Sequence, residues 1–270
     1  MRPLILSAMA AAGNVLPADT QISPVTEPPK TPDGLAPCVS PMVPGAPWSP
    51  RRGEKLTYSA ELFGISLGRL EVETVAGGSA GHTARLEYRA SADASALVRT
   101  LFGLEFTISA WRPSTGAAPV STQLHYRYLF RHADERNEFS ADARQVISWR
   151  ESEDKGNSLE RGFASPVHDL LSSLFFLRSL EPGTSGCTIL YGNQCAYTVW
   201  IEPETIDSEE TIWGKRAVER LSIRYGSDAF DFTRKASITI TVGAERIPLR
   251  GEIENSVHPV VELVAFEPGS

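Results

Sequence analysis

Glu54-Lys55-Leu56-Thr57-Tyr58-Ser59-Ala60-Glu61-Leu62 opens the part of the chain whose pattern decides the fold. Leu56, Tyr58, Ala60 and Leu62 alternate with Thr57, Ser59 and Glu61, so every second side chain is apolar or small. A period of two is the signature of a strand with one face buried and one face in water. Gly64-Ile65-Ser66-Leu67-Gly68 then brackets a turn, and Leu70, Val72 and Thr74 alternate with Glu71 and Glu73. Gly77-Gly78 breaks the pattern again before Leu86, Tyr88 and Ala90 repeat it. Three such runs in succession predict an antiparallel meander.

The period of two recurs at Glu105–Trp111, Thr122–Phe130, Glu135–Ser140, Gln145–Arg150, Ala196–Ile201, Glu210–Trp213, Ala217–Arg224, Phe230–Val242, Arg246–Glu254 and Val260–Phe266. Two segments depart from it. Ser95–Phe102 places Leu97, Val98, Leu101 and Phe102 at helical spacing, with Gly103 as a stop. Ser165–Leu180 predicts a longer helix, with Ser165 as cap, Pro166 in the first turn, and Asp169 near the positive end of the dipole. Val167, Leu170, Leu171, Leu174, Phe175, Leu177 and Leu180 cover more than half of its circumference, so this helix should be buried. A sheet of about eleven or twelve strands curls, closes or splits. The expected fold is mainly β: a strongly curved antiparallel sheet, or partly open barrel, with the long helix on its concave face.

Upstream of this domain the composition changes. Ten of the 19 prolines fall between Pro17 and Pro50. Proline fixes φ and removes a donor, so Gly13–Arg52 reads as a semi-extended, disordered tether. Residues 1–12 have the form of a signal peptide: Met1-Arg2, an apolar Leu4–Ala12, and small-residue cleavage sites at Ala8-Met9-Ala10 or Ala10-Ala11-Ala12. Residues 53–270 then form a single β-rich domain. The net charge is −7, and Lys and Arg are scattered. Nucleic-acid binding is thereby disfavoured, since phosphate contact needs a basic stripe. No apolar run reaches the ~18–20 residues of a membrane-spanning helix.

Of the three cysteines, Cys187 and Cys195 flank a turn and Cys38 lies in the tether. A Cys187–Cys195 disulfide would cross-link neighbouring strands of an exported protein. It needs a bulge or a longer loop, because a two-residue turn at Gly192-Asn193 sets Leu190 opposite Cys195. Free thiols and a Cys38 partner are the alternatives.

Three segments resemble a known family. Gly53–Tyr58 through Gly64–Gly68 looks like the opening hairpin of the bacterial domain-of-unknown-function family 3108. Asp169–Arg178 resembles that family's central helix, and Arg246-Ile247-Pro248-Leu249-Arg250 its late strand. Their order and separation place the resemblance over about residues 53–266. It implies an exported bacterial protein with this architecture and with no established activity.

Chemical motifs weaken when read in context. Gly64-Ile65-Ser66-Leu67-Gly68 matches a nucleophile elbow, but that motif requires a following helix and Arg69–Thr74 alternates as a strand. His168, Asp169, Ser172 and Ser173 contain the residue types of a relay. Adjacent helical residues diverge by about 100°, however, and a helix cap explains Asp169 equally well. His132, Asp134 and Glu135 read as a turn without further metal ligands. Glu202, Glu204, Asp207, Glu209 and Glu210 lack calcium-loop spacing and read as solvated turns. Trp111, Trp149, Trp200 and Trp213 read as packing residues in strands. The expectation is therefore non-enzymatic, with no catalytic residue, metal or cofactor. Leu170, Leu174, Phe175 and Leu177 would face a cavity for a lipid or other hydrophobic ligand in a periplasmic or exported protein. The alternative is an interaction module with a protein partner in an envelope assembly.

Overall fold

A computed structural model describes residues 34–42, 50–76, 85–95, 105–113, 118–128, 131–152, 155–227, 233–254 and 258–270. The expected signal peptide, most of the tether and the short helix after Ser95 lie outside the described residues. Within them runs a single sheet of 15 strands, against the eleven or twelve expected from periodicity.

The first half is a plain meander: β1 (Glu54–Leu62), β2 (Ile65–Ala76), β3 (Arg85–Ala94), β4 (Glu105–Pro113), β5 (Ser121–Tyr128), β6 (Arg131–Phe139), β7 (Gln145–Ser152) and β8 (Lys155–Gly162). The short β9 (His168–Asp169) leads into helix α1 (Leu170–Ser179). A second meander follows: β10 (Gly186–Gly192), β11 (Cys195–Thr211), β12 (Gly214–Ser227), β13 (Thr233–Thr241), β14 (Pro248–Glu254) and β15 (Pro259–Pro268). Neighbours in the sheet are neighbours in the chain, except that β1 pairs with β15 in the middle of the sheet.

Chain geometry makes the sheet curl. β8 and β9 lie at its two ends, yet residues 163–167 alone connect them. A link that short spans less than about 20 Å even when extended. The two ends must therefore face each other, which bends the sheet into an open barrel whose edges are not joined by a hydrogen-bonded ladder. Backbone bonds from Phe163 to Arg144 (2.8 Å) and from Val167 to Ala143 (2.9 Å) guide the chain across the gap.

The turn between β1 and β2 is Phe63-Gly64, with φ of 51° and 73°, so Ile65–Gly68 already belongs to β2. The Gly-x-Ser-x-Gly segment is thus hairpin and bulge, with the register shifting beside Ala60. Gly68 has φ of 138°, and a Cβ there would sit 2.1 Å from the Asp93 carbonyl oxygen. Close strand approach explains this glycine.

The helix begins later than expected. His168 and Asp169 pair in parallel with Leu190 and Tyr191, which keeps them extended. The cap is consequently Asp169 rather than Ser165. The Asp169 side chain accepts from the backbone N–H groups of Leu171 (2.8 Å) and Ser172 (3.0 Å), and Ser172 Oγ accepts from Asp169 N (3.0 Å). That reciprocal arrangement is a capping box.

The cysteine expectation also needs correction: the disulfide joins Cys187 to Cys38, and Cys195 is buried outside that bond. Register gives the reason. Asn193-Gln194 forms the turn with φ of 54° and 57°, Gly192 pairs with Cys195, and Cys187 pairs with Trp200. No bulge brings Cys187 back toward Cys195. In its place, a piece of the proline-rich segment docks on β10: Pro41 bridges Cys187, and Met42 N donates to the Cys187 carbonyl at 2.7 Å.

Candidate functional site

α1 lies on the concave face and divides it into two unlike halves. At about 100° per residue, its side chains form two stripes. Leu171, Leu174 and Phe175 face the half built from β1–β5, β14 and β15, together with Leu56, Tyr58, Val72, Tyr88 and Ile108. Leu56, Tyr58, Val72, Tyr88 and Ile108 are all buried there. The Phe175 ring stacks on Tyr88 with centroids 3.9 Å apart.

Leu170, Ser173, Phe176 and Leu177 face the other half, and here the sheet stands away from the helix. A cavity of about 280 Å³ opens between them. Its floor and walls come from β4 and β5 on one side and from β10–β14 on the other, with Phe106, Leu190, Val199, Ile223 and Ile238 among the apolar surfaces. No charged side chain lines it among the described residues. Tyr126 also lines it, and its hydroxyl accepts from Arg150 at 2.7 Å. Ser173 also lines it, with its hydroxyl donating to Leu170 O at 2.7 Å.

The rim where the sheet ends meet is polar. Tyr191 on β10 reaches across to Ser148 on β7, hydroxyl to hydroxyl at 2.8 Å. Ser148 donates to Asn137 Oδ1 (2.5 Å), and Asn137 Nδ2 donates to Thr122 Oγ1 (3.0 Å) and Glu135 Oε1 (2.8 Å). Burial pushes the Glu135 carboxyl up from its ordinary range, opposed by the Asn137 bond, the Arg150 charge and the backbone N–H groups of Gln194 and Asn193. Residues Phe139, Val146, Phe163, Val167 and Ile189 pack around this network.

A family model described as a protein of unknown function, DUF3108, matches residues 56–263. The chain belongs to that family. No functionally curated protein matches this DUF3108 chain in sequence. Among solved structures it is similar to a beta-barrel-like protein of the domain of unknown function DUF1849 from Brucella abortus. That match covers 81% of this chain and 98% of the other, at 10% identity and a TM-score of 0.54. A Bacteroides fragilis candidate exported protein with a YmcC-like fold matches at 13% identity over 82% and 98%, with a TM-score of 0.35. A candidate lipoprotein from Parabacteroides distasonis matches at 10% identity over 81% and 97%, with a TM-score of 0.33. The Brucella structure supports the barrel-like fold and nothing finer.

Against this geometry the residues singled out in the sequence divide. Leu170 and Leu177 line the cavity of the DUF3108 chain, whereas Leu174 and Phe175 belong to the packed half. The sequence marks the helix as apolar over more than half of its circumference, and α1 buries its two faces against different things. Thr188, Leu190, Asn193 and the apolar residues of β11–β13 were missed as cavity residues, because alternation reports which face is buried and not what it faces.

The His168, Asp169 and Ser172 group is not a relay. Asp169 and Ser172 are engaged with each other and with the helix N-terminus, while the His168 ring lies against Phe176 with centroids 4.4 Å apart. Burial lowers the His168 pKa to about 4, so the ring is neutral near pH 7. Burial likewise raises the Asp169 carboxyl, opposed by its capping bonds. His132, Asp134 and Glu135 lie on strand β6 rather than in a turn, so Asp134 and Glu135 point to opposite faces. Asp134 holds His125 Nδ1 at 2.8 Å on the outer surface. The acidic run from Glu202 to Glu210 is also strand, the exposed outer part of β11.

Proposed function

We propose that this protein is a non-enzymatic, exported envelope protein that shelters one hydrophobic chain of a lipid-like ligand between α1 and β10–β14. The observation that carries this reading is the largely apolar cavity of about 280 Å³ beside α1. A dry, apolar cavity of about 150 Å³ already suffices to bind benzene. Sites for small molecules begin at about 300 Å³. The volume therefore suits a single acyl-type chain better than a whole multi-chain lipid.

Export is supported by Met1-Arg2 with the apolar Leu4–Ala12 stretch, and by the Cys38–Cys187 disulfide, which an oxidising compartment favours. A non-enzymatic role is supported by the use of Asp169 and Ser172 as a helix cap.

The test is to purify the full chain from the periplasm of a bacterial host, extract it with organic solvent, and analyse the extract by mass spectrometry. A single-chain or single-chain-inserted lipid should co-purify near one per protein. Ser173→Leu should displace it, since that side chain lines the cavity and bonds only within its own helix turn. Protein that emerges without lipid in both forms would overturn the proposal.

A second reading, an interaction module, draws on β11. Its pairing with β10 ends at Ile201, and Glu202–Thr211 continues with β12 alone. Ile206 is exposed on that stretch. A protein partner adding a strand there would be trapped by a photo-crosslinking residue at Ile206 in cells. Absence of any adduct would remove this reading.

A further inference from the structure

Along β10 and β11 the cavity wall grades from half-buried to buried, and a residue from outside the sheet completes its buried end. Cross-strand pairs set the order of that wall: Leu190 with Tyr197, Thr188 with Val199, then Gly186 with Ile201. Leu190 and Tyr197 are half-buried, whereas Thr188, Val199 and Ile201 are buried. Leu180 and Leu221 continue the buried apolar cluster that Phe176, Leu177, Ile201 and Ile223 share with the cavity wall.

One position in the wall has no side chain. Gly186 precedes Thr188 by two residues and Leu190 by four, so it belongs to the same face of β10. The Met42 side chain takes that place: a Cβ on Gly186 would lie 2.5 Å from Met42 Cγ and 3.0 Å from its Sδ. Met42 packs against the apolar cluster and is itself half-buried, so at this corner one side chain separates the cluster from water. Three contacts hold it there. They are the Cys38–Cys187 disulfide, the bridge from Pro41 to Cys187, and the 2.7 Å bond from Met42 N to the Cys187 carbonyl. Docking a stretch of chain on a surface costs conformational entropy, and the disulfide lessens that cost by confining residues 38–42 beforehand.

We propose that Met42 is the floor of the cavity and limits the length of hydrocarbon chain that the site accepts, an inference that rests on the cavity being a ligand site. The chain enters from the half-buried end beside Leu190 and Tyr197, and its terminal methyl stops against Met42. An unbranched, polarizable thioether suits that position, because it fills an irregular gap without presenting a strong polar group. The ligand class is thus a single straight hydrocarbon chain of bounded length, with its polar group left at the Tyr197 end.

The experiment uses the full chain, stripped of bound lipid, and calorimetric titration with alkyl maltosides of eight, ten, twelve and fourteen carbons, each below its micelle concentration. Each methylene that finds room inside raises affinity roughly fourfold. Wild-type affinity should climb at about that rate to one chain length and then level off. Met42→Ala empties the floor, so the climb should continue for two more carbons. The first chain past the wild-type limit should then bind this variant roughly tenfold more tightly than it binds wild type. Met42→Leu, of similar volume, should return the limit to its wild-type place. An even climb through fourteen carbons in the wild-type protein overturns the floor assignment before any variant is made. So does a limit that Met42→Ala leaves unmoved, and in both cases the cavity stays a ligand site. Wild-type protein that binds none of the four probes overturns both readings.

Discussion

Ser148 and Tyr191 sit on β7 and β10, each one strand in from an end of the 15-stranded sheet, and their hydroxyls are 2.8 Å apart. Side chains thus complete a barrel that the backbone ladder leaves open. Tyr191 is fully buried, and burial holds its hydroxyl protonated by raising its pKa well above the ordinary value. Tyr191→Phe should lower unfolding free energy by about 1–2 kcal/mol, read from the urea midpoint at unchanged slope. Adding Ser148→Ala should cost less in that background than alone, because the two share one bond. Fully additive losses would show that the hydroxyls act separately.

His168 makes stability sensitive to acid. Its pKa falls from 6.5 to about 4 on folding, so the unfolded chain binds the proton more readily. Stability from this group is whole above about pH 6.5 and declines as pH falls toward 4, by up to about 3 kcal/mol. Glu135 and Asp169, whose carboxyls are raised by burial, shift the opposite way. The measurement is therefore a difference: wild type minus His168→Leu, by denaturant unfolding from pH 7 to 4. A difference that stays constant with pH would refute the assignment.

Arg178 is buried at the end of α1, where it donates to both oxygens of Glu54 (2.5 and 3.2 Å) and to the Glu245 carbonyl (3.2 Å). Arg178→Met would strand a carboxylate and should destabilise by about 3–5 kcal/mol. The double variant Arg178→Met with Glu54→Leu should recover much of that loss. Thermal melts of the three proteins decide it, and a double variant no better than the single one counts against a buried pair.

Disulfide connectivity gives a third kind of check. Cys38→Ser and Cys187→Ser should each abolish the mobility difference between oxidised and reduced protein on gels, and Cys195→Ser should not. The bond closes a separation of 149 residues, so either loss should destabilise by about 5 kcal/mol in the chain-entropy picture. Retention of the shift in Cys187→Ser would contradict this pairing.

Much of this architecture is written locally. Leu56, Tyr58, Leu70 and Val72 reveal their strands because one face of each is core and the other is water. β8 escapes the same reading: Lys155–Gly162 is a polar edge strand with only Leu159 as an apolar mark. The start of α1 was misplaced because what stops it at Leu170 is a parallel pairing with β10, a contact from a distant part of the chain. Cys187 and Cys38 follow the same rule, since the register of β10 and β11 depends on a turn one residue further along than Gly192-Asn193 suggests. The candidate site was half legible. Leu170 and Leu177 show in the helix pattern, but Asn193 and Thr188 are placed in the cavity wall only by the register of β10 and β11.

Because β1 lies between β2 and β15, the first and the fifteenth strands of the sheet meet in its middle. Without Pro259–Pro268, β1–β8 and β9–β14 share no backbone ladder among the described residues. Pairing across about two hundred residues, as between Ser59 and Glu262, is slow because loop closure precedes its reward. The two ribbons therefore join into one sheet only when β15 is available to bridge them, and that step is the slow one.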